Sequence, residues 1–414
     1  MFERHIDERS QCFIDLTRKY AARNYNPYEL APEWGEGVWV RDPEGNTYLD
    51  CLAMYSAANH GHRHPRIIAA VKAQLDKITA VSRAYCNPTS ALYYEKLAKL
   101  CSEKLRGENM LVHPMNGGVE APEKAIYKIS RKWGYTVKGI PEDQAEHIFF
   151  TDNFHGRTLG AISGSTEPEY RKHLGPFVPG IVFAKYGDIA SLRKAITRNT
   201  ASVIIEPIQG EGGVIVPPDG YLQEVRNLCT SEDVAMIDDE IQAGLGRTGY
   251  MLACEHENVK PDMVCVGKAL CGGIIPGSAV VGSKEFVGVL KEGDDGSTFG
   301  GYPLAAAAAR ESIDVILEEN LCERSRDMGA YFMEGLQALS SPHVKEVRGR
   351  GLFIGVEIMP SAGSARSVCE RLLDVGIMSN AAHPKVFRIT PPLVITENDI
   401  DWGLERIGYA LSRI

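Results

Sequence analysis

Val234-Ala-Met-Ile-Asp-Asp-Glu240 is apolar at four successive positions and then ends in three acids. A run that is apolar at every position, rather than at alternate ones, reads as a strand covered on both faces. The same texture recurs at Leu111-Val-His113, Ile148-Phe-Phe150, Ile181-Val-Phe-Ala184, Ser202-Val-Ile-Ile205, Met263-Val-Cys-Val266 and Ser278-Ala-Val-Val281. Longer amphipathic segments separate these runs. Pro122-Glu-Lys-Ala-Ile-Tyr-Lys-Ile-Ser-Arg-Lys-Trp133 has helical apolar spacing with a proline in the first turn, and Leu304-Ala-Ala-Ala-Ala-Ala-Arg-Glu-Ser-Ile-Asp-Val-Ile-Leu317 is a second helix. The alternation predicts an α/β, doubly wound fold with a mostly parallel sheet.

Beyond Leu321 the texture changes to helix, a strand over Val347–Glu357, helix, and a strand from Val386, which predicts a smaller α+β domain over 316–414. The hairpin signal Glu36-Gly-Val-Trp-Val-Arg-Asp-Pro-Glu-Gly-Asn46 places residues 1–50 as a segment packed against that domain, and 51–315 as the large domain.

Composition narrows the function. At 414 residues the chain is long enough for a substantial core, and its formal charge of -9, with 24% charged residues of both signs, offers no basic block for nucleic acid. Ten cysteines are scattered without a CxxC pair and read as reduced thiols. Met1-Phe-Glu-Arg-His-Ile-Asp-Glu-Arg-Ser10 has no apolar leader core, and no stretch reaches membrane-spanning length. A cytoplasmic location is expected, with no nucleic acid, membrane or metal partner.

Two of the buried runs end in chemistry. Lys268 closes Met263-Val-Cys-Val-Gly-Lys268, and Asp239 lies within the acids that close the opening run. A lysine at the mouth of a buried strand can form a Schiff base, and a carboxylate can hold a pyridinium nitrogen protonated. The pair therefore suggests pyridoxal phosphate chemistry. Alone, Lys268 also reads as a lysine finishing a strand for solubility, and Asp238-Asp-Glu240 as a solvated strand end. Asn116-Gly-Gly-Val-Glu-Ala-Pro122 exposes backbone N–H groups before a helix, which suits a phosphate, although a plain turn has the same composition. Phe154 offers a ring to stack on a planar cofactor, Arg157 a fork for a carboxylate, and Gln242 a hydrogen bond on the side that Asp239 faces.

Glu206-Pro-Ile-Gln-Gly-Glu-Gly-Gly213, Asp239-Glu-Ile-Gln-Ala-Gly-Leu-Gly-Arg-Thr-Gly249, Gly267-Lys-Ala-Leu-Cys-Gly-Gly273 and Gly296-Ser-Thr-Phe-Gly-Gly301 together resemble, in order and spacing, the class III pyridoxal-phosphate-dependent aminotransferases. The resemblance spans nearly the whole chain. Within that family Met54-Tyr-Ser-Ala-Ala-Asn-His-Gly-His-Arg-His-Pro65, Lys132-Trp-Gly-Tyr-Thr-Val-Lys138, Gly175-Pro-Phe-Val-Pro179 and Arg388-Ile-Thr-Pro-Pro-Leu-Val394 look most like the ornithine aminotransferases. It implies fold type I, pyridoxal 5'-phosphate as cofactor, amino-acid and 2-oxo-acid substrates, and a homodimer with shared active sites. By position it implies Lys268 as the cofactor-bound lysine and proton shuttle, Asp239 as the pyridinium partner and Phe154 as the stacker. Gly118 and Val119 would hold the phosphate, Gln242 the ring oxygen, and Thr298 the neighbouring subunit's phosphate. Arg157 would take the substrate α-carboxylate and Tyr55 its α-amino group. Glu211 would mask Arg388 while a diamino acid reacts and release it for 2-oxoglutarate.

Departures from the ornithine pattern cluster at the cofactor rim. Gly117 stands for a hydroxyl residue, His155 for a tryptophan, Tyr302 for an asparagine and Pro122 for a small residue. Cys86 stands for an aromatic that helps select the donor, with Tyr85 beside it as a substitute. The expected reaction is L-ornithine plus 2-oxoglutarate to glutamate 5-semialdehyde plus glutamate. Another diamino or ω-amino donor is the close alternative, and an aminomutase or epimerase a more distant one.

Overall fold

The computed structural model describes residues 7–105, 107 and 110–414; the first six residues, part of the N-terminal stretch read above, lie outside the described residues. A seven-stranded sheet runs in the order Met110–Met115, Ser278–Ser283, Met263–Val266, Ala235–Asp239, Thr200–Ile205, Glu146–Phe150, Ile181–Ala184. Only Ser278–Ser283 opposes its neighbours; the remaining pairings are parallel.

The unbroken apolar runs have a direct structural reason. Successive residues of each strand point to opposite faces, and both faces are covered. Ile148, Phe150, Val203, Ile205, Met236, Val264 and Val266 enter one core together with Leu97, Val225 and Ile313 from the helices Pro88–Lys104, Tyr221–Ser231 and Pro303–Glu318. Phe149, Ile204, Ala235, Ile237, Met263 and Cys265 enter a second core under Ile126, Ile129 and Trp133. Each such aliphatic side chain contributes about 1.5–3 kcal/mol on burial, so the sheet is fixed by two hydrophobic layers rather than one.

Two local expectations are corrected. The helix expected over Pro122–Trp133 runs from Glu120 to Lys138, but Ala125–Ser130 and Gly134–Lys138 are π-helical, and the Ser130 hydroxyl donates to the Ala125 carbonyl at 2.7 Å. The single strand expected over Val347–Glu357 is a hairpin, Val344–Arg350 with Phe353–Ile358. Gly351, at φ 55, leads a two-residue turn that reverses the chain there.

That hairpin belongs to a four-stranded sheet with Val386–Ile389 and Ala381–His383. The N-terminal strands Trp34–Glu36, Trp39–Arg41 and Thr47–Asp50 form a meander whose last strand pairs in parallel with Ile377–Met378. The Trp39 indole donates to Asp399 at 3.1 Å and meets Trp402 edge-on at 4.8 Å. All ten cysteines are free, and among the described residues no helix is long and apolar enough to cross a membrane.

Arg247 joins the segments. Wholly buried, it donates to the carbonyls of Leu352 at 2.9 Å and Pro391 at 2.6 Å and to the Asn59 side chain at 2.5 Å. Arg247→Ala strands these acceptors and opens a cavity, and is expected to destabilise the protein by about 3–5 kcal/mol. Denaturant unfolding measures the loss; a change below about 1 kcal/mol would show that the contacts are dispensable.

Candidate active site

Parallel strands bring their carboxyl ends to one edge, and the chain collects its reactive side chains there. Met115 leads into Gly117–Val119, Phe150 into Phe154 and His155, Ile205 into Glu206, and Val266 into Lys268, while Asp239 ends its own strand. A cavity of about 170 Å³ lies among Gly118, Val119, Phe154, His155, Glu206, Asp239, Gln242 and Lys268. The residues expected to meet a phosphorylated pyridine are therefore neighbours in space. A Cβ on Gly118 would meet Ile241 at 3.4 Å, an ordinary contact.

Asp239 and Lys268 come from adjacent strands, whose register pairs Asp239 with Cys265. Lys268 is half-buried on the cavity, with φ 46, a left-handed conformation that costs a non-glycine residue energy and that functional sites tend to retain. Burial lowers its pKa below that of an ordinary lysine, against the opposing pull of Glu211 and Asp239. The Asp239 carboxylate accepts the Ile241 N–H at 3.1 Å through Oδ1, and its Oδ2 lies 2.6 Å from Nδ1 of His155. Burial disfavours the charged imidazole, but the hydrogen bond and charge of Asp239 outweigh it and raise the His155 pKa. His155, a departure at the sequence level, is thus the buried partner of Asp239.

The acids flanking Asp239 do not form a solvated strand end. Asp238, Asp239 and Glu240 are all buried. Burial pushes both Asp238 and Glu240 up, and the charge of Glu240 raises Asp238 further; Glu240 accepts the Cys254 N–H at 2.9 Å. Strand alternation sends Asp238 and Glu240 away from the face that carries Asp239.

Glu211 and Arg388 form a two-pronged ion pair, 2.5 Å from Nη1 to Oε1 and 3.3 Å from Nη2 to Oε2. Arg388 is 1% exposed, and its guanidinium lies 5.0 Å from the Tyr55 ring centre. Burial resists ionisation of Glu211, yet the charge of Arg388, aided by Lys268 and Gln242, holds its carboxyl below the usual range. Gln242 Nε2 donates to Glu211 Oε1 at 3.4 Å, linking the pair to the cavity. Tyr55 is presented by a left-handed turn, with φ 44, 48, 59 and 75 at Ala53, Met54, Tyr55 and Ser56, and its hydroxyl accepts from Asn380 at 3.0 Å.

Arg157 is exposed and lies 3.4 Å from the Tyr170 ring centre and 5.6 Å from that of Phe154. Tyr85, Cys86 and Thr298 are not brought to the cavity. Tyr85 is 72% exposed, and Cys86 and Thr298 also face solvent on this chain. Sequence reasoning assigned nothing to Glu206, Tyr170 or Asn380. Glu206 was signalled only by heading a motif; Tyr170 and Asn380 lie outside every quoted motif.

The Aminotransferase class-III profile matches residues 20–411. Over 401 residues the chain is 51% identical to an ornithine aminotransferase of Geobacillus sp., covering 97% of this chain and 98% of that protein. An ornithine aminotransferase of Bacillus subtilis is 49% identical over 403 residues, with 97% and 98% covered. The crystal structure of the ornithine aminotransferase from Toxoplasma gondii superposes with a TM-score of 0.94 at 40% identity, covering 98% of this chain and 95% of that one. A structure of the acetylornithine aminotransferase from Elizabethkingia anophelis gives 0.87 at 37% identity, with 98% and 99% covered. With its half-buried lysine and buried carboxylate at the carboxyl edge of a mostly parallel sheet, this chain belongs to the class III aminotransferases, pyridoxal-phosphate enzymes of fold type I.

Proposed function

We propose that the chain transfers the δ-amino group of L-ornithine to 2-oxoglutarate, giving glutamate 5-semialdehyde and glutamate by a ping-pong cycle. The observation that carries this is the ion pair of buried Arg388 with half-buried Glu211, joined through Gln242 to the Lys268 cavity. Covered by Glu211, Arg388 presents no free cation to a substrate whose distal end is an amine; uncovered, it offers a fork to the second carboxylate of a dicarboxylate. One site then serves two unlike substrates.

The cavity residues fit pyridoxal 5'-phosphate, which when bound acts as the electron sink for the substrate carbanion. In this assignment Lys268 holds the cofactor covalently and moves the proton of the carbon that carries the transferred amine, Cδ of ornithine and Cα of glutamate; burial lowers its pKa, which favours the neutral base that this step needs. Asp239 keeps the ring nitrogen protonated, Phe154 stacks on the ring, Gln242 meets the ring oxygen, and Gly118 and Val119 take the phosphate. Arg157 grips the α-carboxylate of ornithine, and Tyr55 its α-amino group. The exposed Thr298 is assigned to the partner's phosphate in a homodimer. The same proposal divides the chain into 1–50, 51–315 and 316–414 and places it in the cytoplasm.

A second reading, another diamino or ω-amino donor, is favoured by Cys86 and His155, which stand where the ornithine pattern has aromatics. A coupled assay of the purified enzyme with ornithine, lysine, diaminobutyrate, N-acetylornithine and 4-aminobutyrate separates the two. Ornithine is expected to give the highest kcat/KM; negligible turnover of ornithine would overturn the assignment. Product formed without 2-oxoglutarate would replace it with an isomerase.

A further inference from the structure

Glu206 follows the strand Thr200–Ile205 and is buried beneath the cavity, yet the chemistry above gives it no task. Its two carboxylate oxygens reach different turns. Oε2 accepts the Phe154 N–H at 2.9 Å, and Oε1 accepts the Gly210 N–H at 3.3 Å. The first N–H belongs to the residue that faces the cofactor ring, the second to the residue just before Glu211. A second tie runs alongside, with Gln209 Nε2 donating to the Thr151 carbonyl at 2.7 Å. On its other side the Gly210 turn is wedged, since a Cβ there would lie 1.8 Å from Gln242 Oε1. The Glu211 turn is thus held between Gln242 and Glu206.

We propose that Glu206 is a positioning residue that fastens the Phe154 turn to the Glu211 turn, so that the wall beside the cofactor and the carboxylate covering Arg388 keep one spacing. The roles of Phe154 and Glu211 are those proposed above, and the inference rests on them. Bridging two donors requires two acceptor oxygens at full glutamate length. An amide offers only one, and aspartate is a methylene too short to reach both turns. Burial pushes the Glu206 pKa up to about 7, with the His155 cation lowering it and Asp239 raising it. Lys268 and Tyr186 also face it electrostatically, and the Tyr186 hydroxyl donates to its backbone carbonyl at 3.0 Å. A protonated Glu206 loses one acceptor, so the clamp holds above neutrality and loosens below.

Hydrogen exchange of the cofactor-free protein reads the clamp without turnover. In both Glu206→Gln and Glu206→Asp, at least one of the Phe154 and Gly210 amides is expected to exchange at least about tenfold faster than in wild type, the loss expected for a hydrogen bond to a charged group. In wild type, protection of at least one of these amides, corrected for intrinsic rates, falls below about pH 7, a test that stands even where a variant does not fold. Unchanged exchange of both amides overturns the clamp. A wild-type-like Glu206→Asp beside an altered Glu206→Gln would assign Glu206 a purely electrostatic role and overturn it equally. In the holoenzyme both variants are expected to raise KM for ornithine about tenfold, because Arg388 is less well covered, and a Glu211→Ala background should abolish that increment. Faster exchange with unchanged KM would overturn the link to Glu211. Failure of ornithine turnover would instead count against the proposed function and leave the exchange result standing.

Discussion

Lys268→Ala is expected to lower kcat for ornithine transamination by at least about 10⁴-fold, since positioned proton transfer alone supplies about 10²–10⁴ and covalent attachment adds to it. The expectation follows from what this lysine combines. It opens onto the cavity, its pKa is lowered by burial, and its backbone is held at φ 46, where only a well-braced residue remains. No neighbouring group replaces it. Glu211 is tied to Arg388, and Asp239 to His155 and the Ile241 N–H. Two measurements check the result. Single-turnover absorbance with ornithine should show no fast phase, and borohydride treatment should leave no cofactor mass on the variant. The melting temperature should stay near wild type, because removing a cation disfavoured by burial costs the fold little. A variant within about tenfold of wild-type kcat would remove Lys268 from the proton-transfer step.

How much of this was legible depends on whether the sequence carries the local cause. The parallel sheet was readable because two-sided burial writes itself as unbroken apolar runs, and Phe149 and Phe150 do enter opposite cores. Asp239 and Lys268 were readable because both close such runs, and adjacent parallel strands must bring those ends together. The hairpin at Gly351 was missed because its turn contains Leu352, a buried residue that continues the apolar texture. The left-handed turn that presents Tyr55 has no glycine or asparagine to announce it, and L-residues disfavour that conformation. The burial of Asp238 and Glu240 was invisible for another reason. An acid at a strand end is ordinarily solvated, and only the packed chain shows Asp238 and Glu240 buried, with Glu240 accepting from the Cys254 N–H. The pairing of His155 with Asp239 joins residues 84 apart, a relation no local pattern encodes.

That pairing decides the second large effect. Asp239→Asn preserves shape but removes the charge facing the ring nitrogen, and is expected to cost about 10³-fold in kcat, the scale seen when a site loses one preorganised electrostatic contact. The amide also presents N–H where Oδ2 accepted, directly opposite Nδ1 of His155 at 2.6 Å. Without the carboxylate, burial favours the neutral ring and the charge of Glu206 is left as the opposing pull. The pH dependence has a definite sign. In wild type the folded-state pKa of His155 is raised, so the stability this pair contributes is fully present below the unfolded value of about 6.5 and is lost as pH rises through the folded value. The stability gap between cofactor-free wild type and Asp239→Asn should therefore be widest in mild acid and narrow toward alkaline pH, measured by denaturant unfolding across that range. A gap that ignored pH would mean that His155 is not the charged partner of Asp239. A kcat within tenfold of wild type would mean that the ring nitrogen finds its counter-charge elsewhere. The two readouts separate the structural role of Asp239 from its chemical one: the stability gap is read without cofactor, while the rate depends on the charge reaching the ring.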